Sequence, residues 1–187
     1  GDGKYIASGG YDFCIKLWDA ETGDELKTFS FFKDHVTALI FTSDSKHIIA
    51  GSRDGKIICI DILTSDTLYT LRHNDCITSL HLSKNGKYLL SSSWDKTAKR
   101  WNLDTEKVYK SYRCKSRLNF ADFSDDESAV FIAGRDSTIS CWRIQDSIKP
   151  QITINFSDGA IRCFDIFDTL MVCGSTTGSV VRLLDLN

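Results

Sequence analysis

The chain has 187 residues, 42% of them hydrophobic and 26% charged, with a formal net charge of −2. That is enough apolar material for a core, the near balance of charge gives no bias towards nucleic acid or anionic membrane, and no run approaches the roughly 20 apolar residues of a transmembrane helix. Seven cysteines, odd in number and without C-x-x-C spacing, argue for small reduced core residues in an intracellular protein, cytoplasmic or nuclear, rather than for disulfides or a metal site.

In chain order, the segment 4–18 joins two short strand-like runs across a turn at Asp12, and the pattern returns over 47–60, 88–101, 129–142 and 170–183. Each copy carries an apolar pair, small residues, a turn residue and an alternating run that ends in Trp or an aliphatic. The turn residues are Asp12, Asp54, Asp95, Asp136 and Thr177, at intervals of 42, 41, 41 and 41 residues. A fixed period of this size means an array of stacked units, here around 1–30, 31–72, 73–112, 113–156 and 157–187. Ahead of the repeated pair of strands, 36–41 and 77–82 alternate apolar and polar as half-buried strands do. Tight turns follow at Ser45 and Asn85-Gly86, with Asp2-Gly3 in the matching place, and Asp54-Gly55 and Thr177-Gly178 have the same hairpin chemistry. A last strand is expected at 25–29, 67–71 and 107–111. No segment has helical periodicity, and the single proline, Pro150, falls between units. Each unit therefore reads as a four-stranded antiparallel meander, and the protein as all-β. A lone sheet of this kind hides its apolar residues only by stacking on copies of itself, and radial stacking produces a β-propeller.

Two stretches carry a family resemblance: Ser-Gly-Gly-Tyr-Asp-Phe-Cys-Ile-Lys-Leu-Trp-Asp at 8–19 and Ser-Ser-Ser-Trp-Asp-Lys-Thr-Ala-Lys-Arg-Trp-Asn at 91–102. With the other three copies in register, the whole chain resembles the WD-repeat β-propeller family. The resemblance implies about three complete and two partial blades of a seven-bladed propeller, the first without its opening strand and the last without its closing one. A five-bladed ring with irregular closure is the alternative.

The resemblance also implies a hydrogen-bonded tetrad that braces a blade, and only His73, Ser91, Asp95 and Trp101 supply all four members. Their chemistry suits such a brace, because a carboxylate orients an imidazole, which binds a hydroxyl, which accepts the indole N–H. Ser, His and Asp together also suggest a hydrolase, but no nucleophile elbow or oxyanion loop accompanies them. Elsewhere the Ser/Thr place holds Ala50, Ile132 and Cys173, the Trp place Ile60 and Leu183, the Asp place Thr177, and the His place Phe32, Cys114 and Ser157. Those blades are expected to rely on apolar packing. Arg100 and Arg182 fall where Leu17, Cys59 and Cys141 sit in other units, between blades, so an inter-blade carboxylate partner is expected for each.

Function is expected on the face that the resemblance marks for partners, where the residue before the turn Asp and those before the first strand look outward. Tyr11, Lys33, His35, Arg53, Trp94, Lys115, Arg117 and Arg135 are the candidate partner-binding residues there. Arg reads carboxylate or phosphate through its planar fork and Trp buries a large area, so an acidic or phosphorylated protein segment is the expected ligand. The expected role is a non-catalytic scaffold or adaptor in a larger complex, without catalytic residues, metal or cofactor. An RNA-associated or ribosomal propeller is the alternative, and nucleic acid is not favoured. The Arg that marks certain ubiquitin-ligase receptors three residues after Trp-Asp is absent: Trp18-Asp19 leads to Glu21.

Overall fold

A computed structural model describes residues 3–145, 149–157, 159–168, 170–176 and 181–185. Among these are eighteen strands in five antiparallel sheets of three, four, four, four and three strands, in strict sequence order. The first sheet holds β1 (Tyr5–Gly9), β2 (Ile15–Asp19) and β3 (Glu25–Phe29). The second holds β4 (Val36–Phe41), β5 (His47–Ser52), β6 (Lys56–Asp61) and β7 (Thr67–Arg72). The third comprises β8 (Ile77–Leu82), β9 (Tyr88–Ser93), β10 (Thr97–Asn102) and β11 (Lys107–Arg113). The fourth comprises β12 (Leu118–Phe123), β13 (Ala129–Gly134), β14 (Thr138–Arg143) and β15 (Ile152–Asn155), and the fifth β16 (Ile161–Phe167), β17 (Leu170–Ser175) and β18 (Val181–Asp185). No described helix is long and apolar enough to cross a membrane.

The sheets are propeller blades set side by side, with β1 packed on β4, β4 on β8, β8 on β12 and β12 on β16, and among the described residues they do not close into a ring. Side chains alternate between the two faces of a strand, and here each face meets a different neighbour. Ile48 and Ala50 of β5 join Ile15, Leu17 and Phe29 of the first blade, whereas Ile49 between them joins Ile77, Leu80 and Trp101 of the third. Central strands covered on both faces read as continuous apolar runs, as 129–134 does with every residue buried.

The turns repeat as closely as the strands. The residue after the turn Asp has a left-handed backbone in four blades, at Phe13, Gly55, Lys96 and Ser137, with φ of 67°, 80°, 69° and 63°. Only Gly55 has the residue type that favours it, and there a Cβ would lie 2.5 Å from the His73 carbonyl oxygen. Thr177, Gly178 and Asp2 lie outside the described residues.

The ion pair expected at Arg100 is not what holds it. Arg100 is 9% exposed, and its guanidinium lies 3.7 Å from the Tyr88 ring centroid and 5.0 Å from that of Tyr109, both in its own sheet. No described carboxylate pairs with it; flat rings, rather than a charge across the gap, receive a weakly hydrated guanidinium. Its Nε and the nearby Tyr112 Oη are buried without hydrogen-bond partners, and burial pushes the Tyr112 hydroxyl up to about 12. Arg182 is exposed, with its guanidinium 5.8 Å from the Phe156 ring centroid.

Candidate partner-binding face

The geometry of the hydrolase-like set decides what kind of site this can be. His73 Nδ1 lies 2.9 Å from Asp95 Oδ2, and His73 Nε2 lies 2.8 Å from Ser91 Oγ. Trp101 Nε1 donates to Ser91 Oγ at 2.8 Å. The carboxylate can only accept, so Nδ1 carries the proton, Nε2 accepts from the Ser91 hydroxyl, and that oxygen accepts the indole N–H. Burial holds the imidazole below its ordinary pKa and therefore neutral, against the pull of Asp95. Partial burial pushes Asp95 upward, but bonds from His73, Thr97 and the Asn74 amide outweigh it and keep the carboxyl well below the usual range. Ser91 is 0% exposed and its oxygen is committed to three neighbours, so no substrate reaches it.

The other blades solve the same problem differently. In the first, Trp18 Nε1 donates to Ser8 Oγ at 2.8 Å. In the second, Phe32, Ala50 and Ile60 all enter the core shared with the first blade. In the fourth, Ile132 offers no acceptor, and Trp142 Nε1 turns instead to Ser140 Oγ, 3.0 Å away on its own strand. The expectation of apolar packing alone misses this bond, since Ser140 stands outside the repeated pattern. The Cys114 thiol, in the His place, is pushed up to about 11 by burial.

The outward face is built by one recurring backbone bond. Arg53 N donates to His35 O, Trp94 N to Cys76 O, Arg135 N to Arg117 O and Thr176 N to Ala160 O, at 2.8–2.9 Å. Each bond ties the residue before the turn to the one before the innermost strand, so the two sets become neighbours. In the first and third blades the residue before the turn also reaches the next blade. Tyr11, 81% exposed, meets the His35 ring edge-on at 4.2 Å, and Phe13 stacks on it at 5.5 Å. Two blades on, Trp94 lies under both Arg117 and Arg135, whose guanidinium carbons are each 5.2 Å from its ring centroid. Lys33, Arg53 and Lys115 are exposed on the same face.

Five of the eight candidates thus fall into two clusters, Tyr11 with His35 on the first two blades and Trp94 with Arg117 and Arg135 on the third and fourth, and Lys33, Arg53 and Lys115 stand outside them. On this face three residues escaped sequence reasoning. Phe13 did because a left-handed backbone turns its ring to the surface. Asp34 and Asp75 did because they stand between the residues counted, yet share one register place. Each caps the next backbone N–H, and Asp75 lies 3.9 Å from Arg117. They dilute the positive charge of the face except at the fourth blade, where that place is Ser116. Cys76, whose carbonyl accepts from the Trp94 amide on this face, is buried, and burial pushes its thiol up to about 11.

Comparison with known proteins agrees with this architecture. The family described as WD domain, G-beta repeat (WD40) matches residues 1–19, 23–61 and 65–102. The chain is 24% identical to Autophagy-related protein 16 of Arabidopsis thaliana over 95% of its own length and 39% of that protein. To Protein ROOT INITIATION DEFECTIVE 3 of the same plant it is 32% identical over 74% of itself and 35% of the relative. To Small ribosomal subunit protein RACK1 of Drosophila melanogaster it is 29% identical over 76% of itself and 48% of the relative. The chain therefore spans less than half the length of each of these relatives.

Proposed function

The chain belongs to the WD-repeat family, and from that premise we propose that it is a non-catalytic interaction module, the part of a scaffold or adaptor that holds partner proteins within a larger complex. The partner segment is acidic or phosphorylated and binds across Trp94, Arg117 and Arg135, with Lys115 and Arg53 beside it. The observation that carries this reading is the two guanidinium groups held over one indole. Arg135 has no described carboxylate partner, so its fork is available to an incoming phosphate or carboxylate. Stacking on Trp94 pre-orders both arginines, which lowers the entropy lost on binding.

Fluorescence polarisation with phosphoserine and Glu-rich peptides tests it. Replacing Arg53, Lys115, Arg117 and Arg135 by Glu should abolish binding, and unchanged binding would discard the reading. The similarity to a protein named as a small ribosomal subunit component supports RNA association as a second reading. A single-stranded RNA probe whose affinity falls steeply between about 50 and 200 mM salt, while the peptides fail, would favour it.

A further inference from the structure

A second surface lies at the opposite ends of the blades, where β1 begins and the turn between β6 and β7 closes. There a cleft of about 730 Å³ opens between the first and second blades. Leu17 and Ile62, both buried, and the half-buried Tyr5 line it. Leu26 and Leu63 stand at its lips, 45% and 86% exposed. Two large aliphatic side chains left in water beside an apolar cleft mark an interaction surface.

The repeat itself shows what belongs in this place. Between the second and third blades the corresponding side chain of the outermost strand is Tyr69, whose ring is packed into the inter-blade core and whose hydroxyl burial pushes far upward. Between the third and fourth blades that register holds Lys110, which donates to the Ile144 carbonyl at 3.0 Å, while Arg100 on the adjacent strand stacks on Tyr88 and Tyr109. In the first blade the register of Tyr69 holds Lys27, which reaches across to donate to the carbonyls of Ile62 at 2.6 Å and Leu63 at 2.7 Å. The register of Arg100 holds the shorter Leu17. With Lys27 in the register of Tyr69, the space over Leu17 and Ile62 stays an open cleft beside the Tyr5 ring.

Charge selects the occupant. The lining carboxylates are already engaged: Asp44 accepts from Thr42 and the Lys46 amide, and Asp61 from the Leu63 and Thr64 amides. Lys4, Lys27 and Lys46 also line the cleft, and no described ion pair holds the Lys46 ammonium. The unspent capacity at the rim is therefore cationic.

We propose that this cleft is a docking site for a partner-protein segment that inserts one aromatic side chain over Leu17 and Ile62, as Tyr69 does at the next interface, and sets a neighbouring carboxylate against Lys46. The probe is the peptide acetyl-Glu-Glu-Phe-Leu-amide, titrated against the full chain by methyl NMR. It should shift the methyl resonances of Leu17, Leu26 and Leu63. Twins in which both Glu become Lys, or Phe-Leu becomes Ala-Ala, should leave them in place. Lys46→Glu should weaken the acidic peptide about two- to fivefold, the range of an exposed ion pair. Lys27→Tyr, which installs the plug of the next interface, should remove binding.

The proposal is overturned by equal shifts from the basic twin, by no shifts at all, or by binding that survives Lys27→Tyr in a variant with a wild-type melting curve. Should that variant fail to fold, Lys46→Glu and the twin peptides decide the matter alone. Shifts of the same methyls that track protein concentration without peptide would place a second copy of the chain there, and would also overturn it.

Discussion

In the third blade Asp95, His73, Ser91 and Trp101 form one hydrogen-bonded line, whereas the second blade fills three of the same four places with Phe32, Ala50 and Ile60 and buries them. Both blades have four strands of similar length in the same order and a left-handed backbone at the residue after the turn Asp, Gly55 or Lys96. The difference shows that the tetrad does not create the blade. It is one of two ways to fill the space between neighbouring sheets, and each fails differently. A packed aliphatic fails by leaving a cavity, and a polar line fails by stranding a buried partner.

The largest effect should come from the packed blade. Ile58→Ala removes a fully buried side chain from the core shared by the first two blades and should cost about 2–5 kcal/mol in urea melts. A loss below about 1 kcal/mol would mean that the two blades do not share a close-packed core. In the polar blade, His73→Ala or Asp95→Ala should cost roughly 1–3 kcal/mol. The same line predicts acid sensitivity. His73 is held below its ordinary value of 6.5 and Asp95 below 3.8, so the unfolded chain takes up protons that the folded one refuses. Stability present above pH 6.5 should therefore be lost as pH falls, with a slope of up to about 1.4 kcal/mol per unit from each group. His73→Gln should flatten the part of that slope nearest pH 6.5; an unchanged profile would assign the sensitivity elsewhere.

The fourth blade sharpens the contrast. Ser140→Ala strands the Trp142 indole N–H and should cost about 1 kcal/mol, whereas a serine in any sheet position without such a bond would cost little. Smallest of all, Asp136→Ala should stay within about 0.5 kcal/mol although Asp136 shares the register of Asp95, because it is exposed and has no histidine to hold. Equal losses at Asp95 and Asp136 in thermal melts would show that the turn carboxylate acts through the backbone turn and not through the tetrad.

Much of the fold was legible because the repeat sets both strand and turn. Alternation at 36–41 and 77–82, and recurrence every 41 residues, are local properties of the chain. Less of the site was legible, because its geometry depends on neighbours across blades. The register could align Trp94 with Tyr11 and Arg53 but could not show Arg117 and Arg135 meeting over its ring. Nor could it show Arg100 choosing Tyr88 over a carboxylate, since the flat partner stands on an adjacent strand of the same sheet. Ser140 escaped because a hydroxyl two residues before a tryptophan has no meaning until Ile132 is seen to withhold an acceptor.

On this reading the module grips partners through the arginines on Trp94 and uses its Ser–His–Asp line only for support. The most direct measurement compares binding of a phosphoserine peptide by Arg117→Glu/Arg135→Glu and by His73→Gln at a temperature where both remain folded. The double charge reversal should abolish binding while His73→Gln binds like the wild type. Full binding by the double variant, or its loss in folded His73→Gln, would contradict that division of labour.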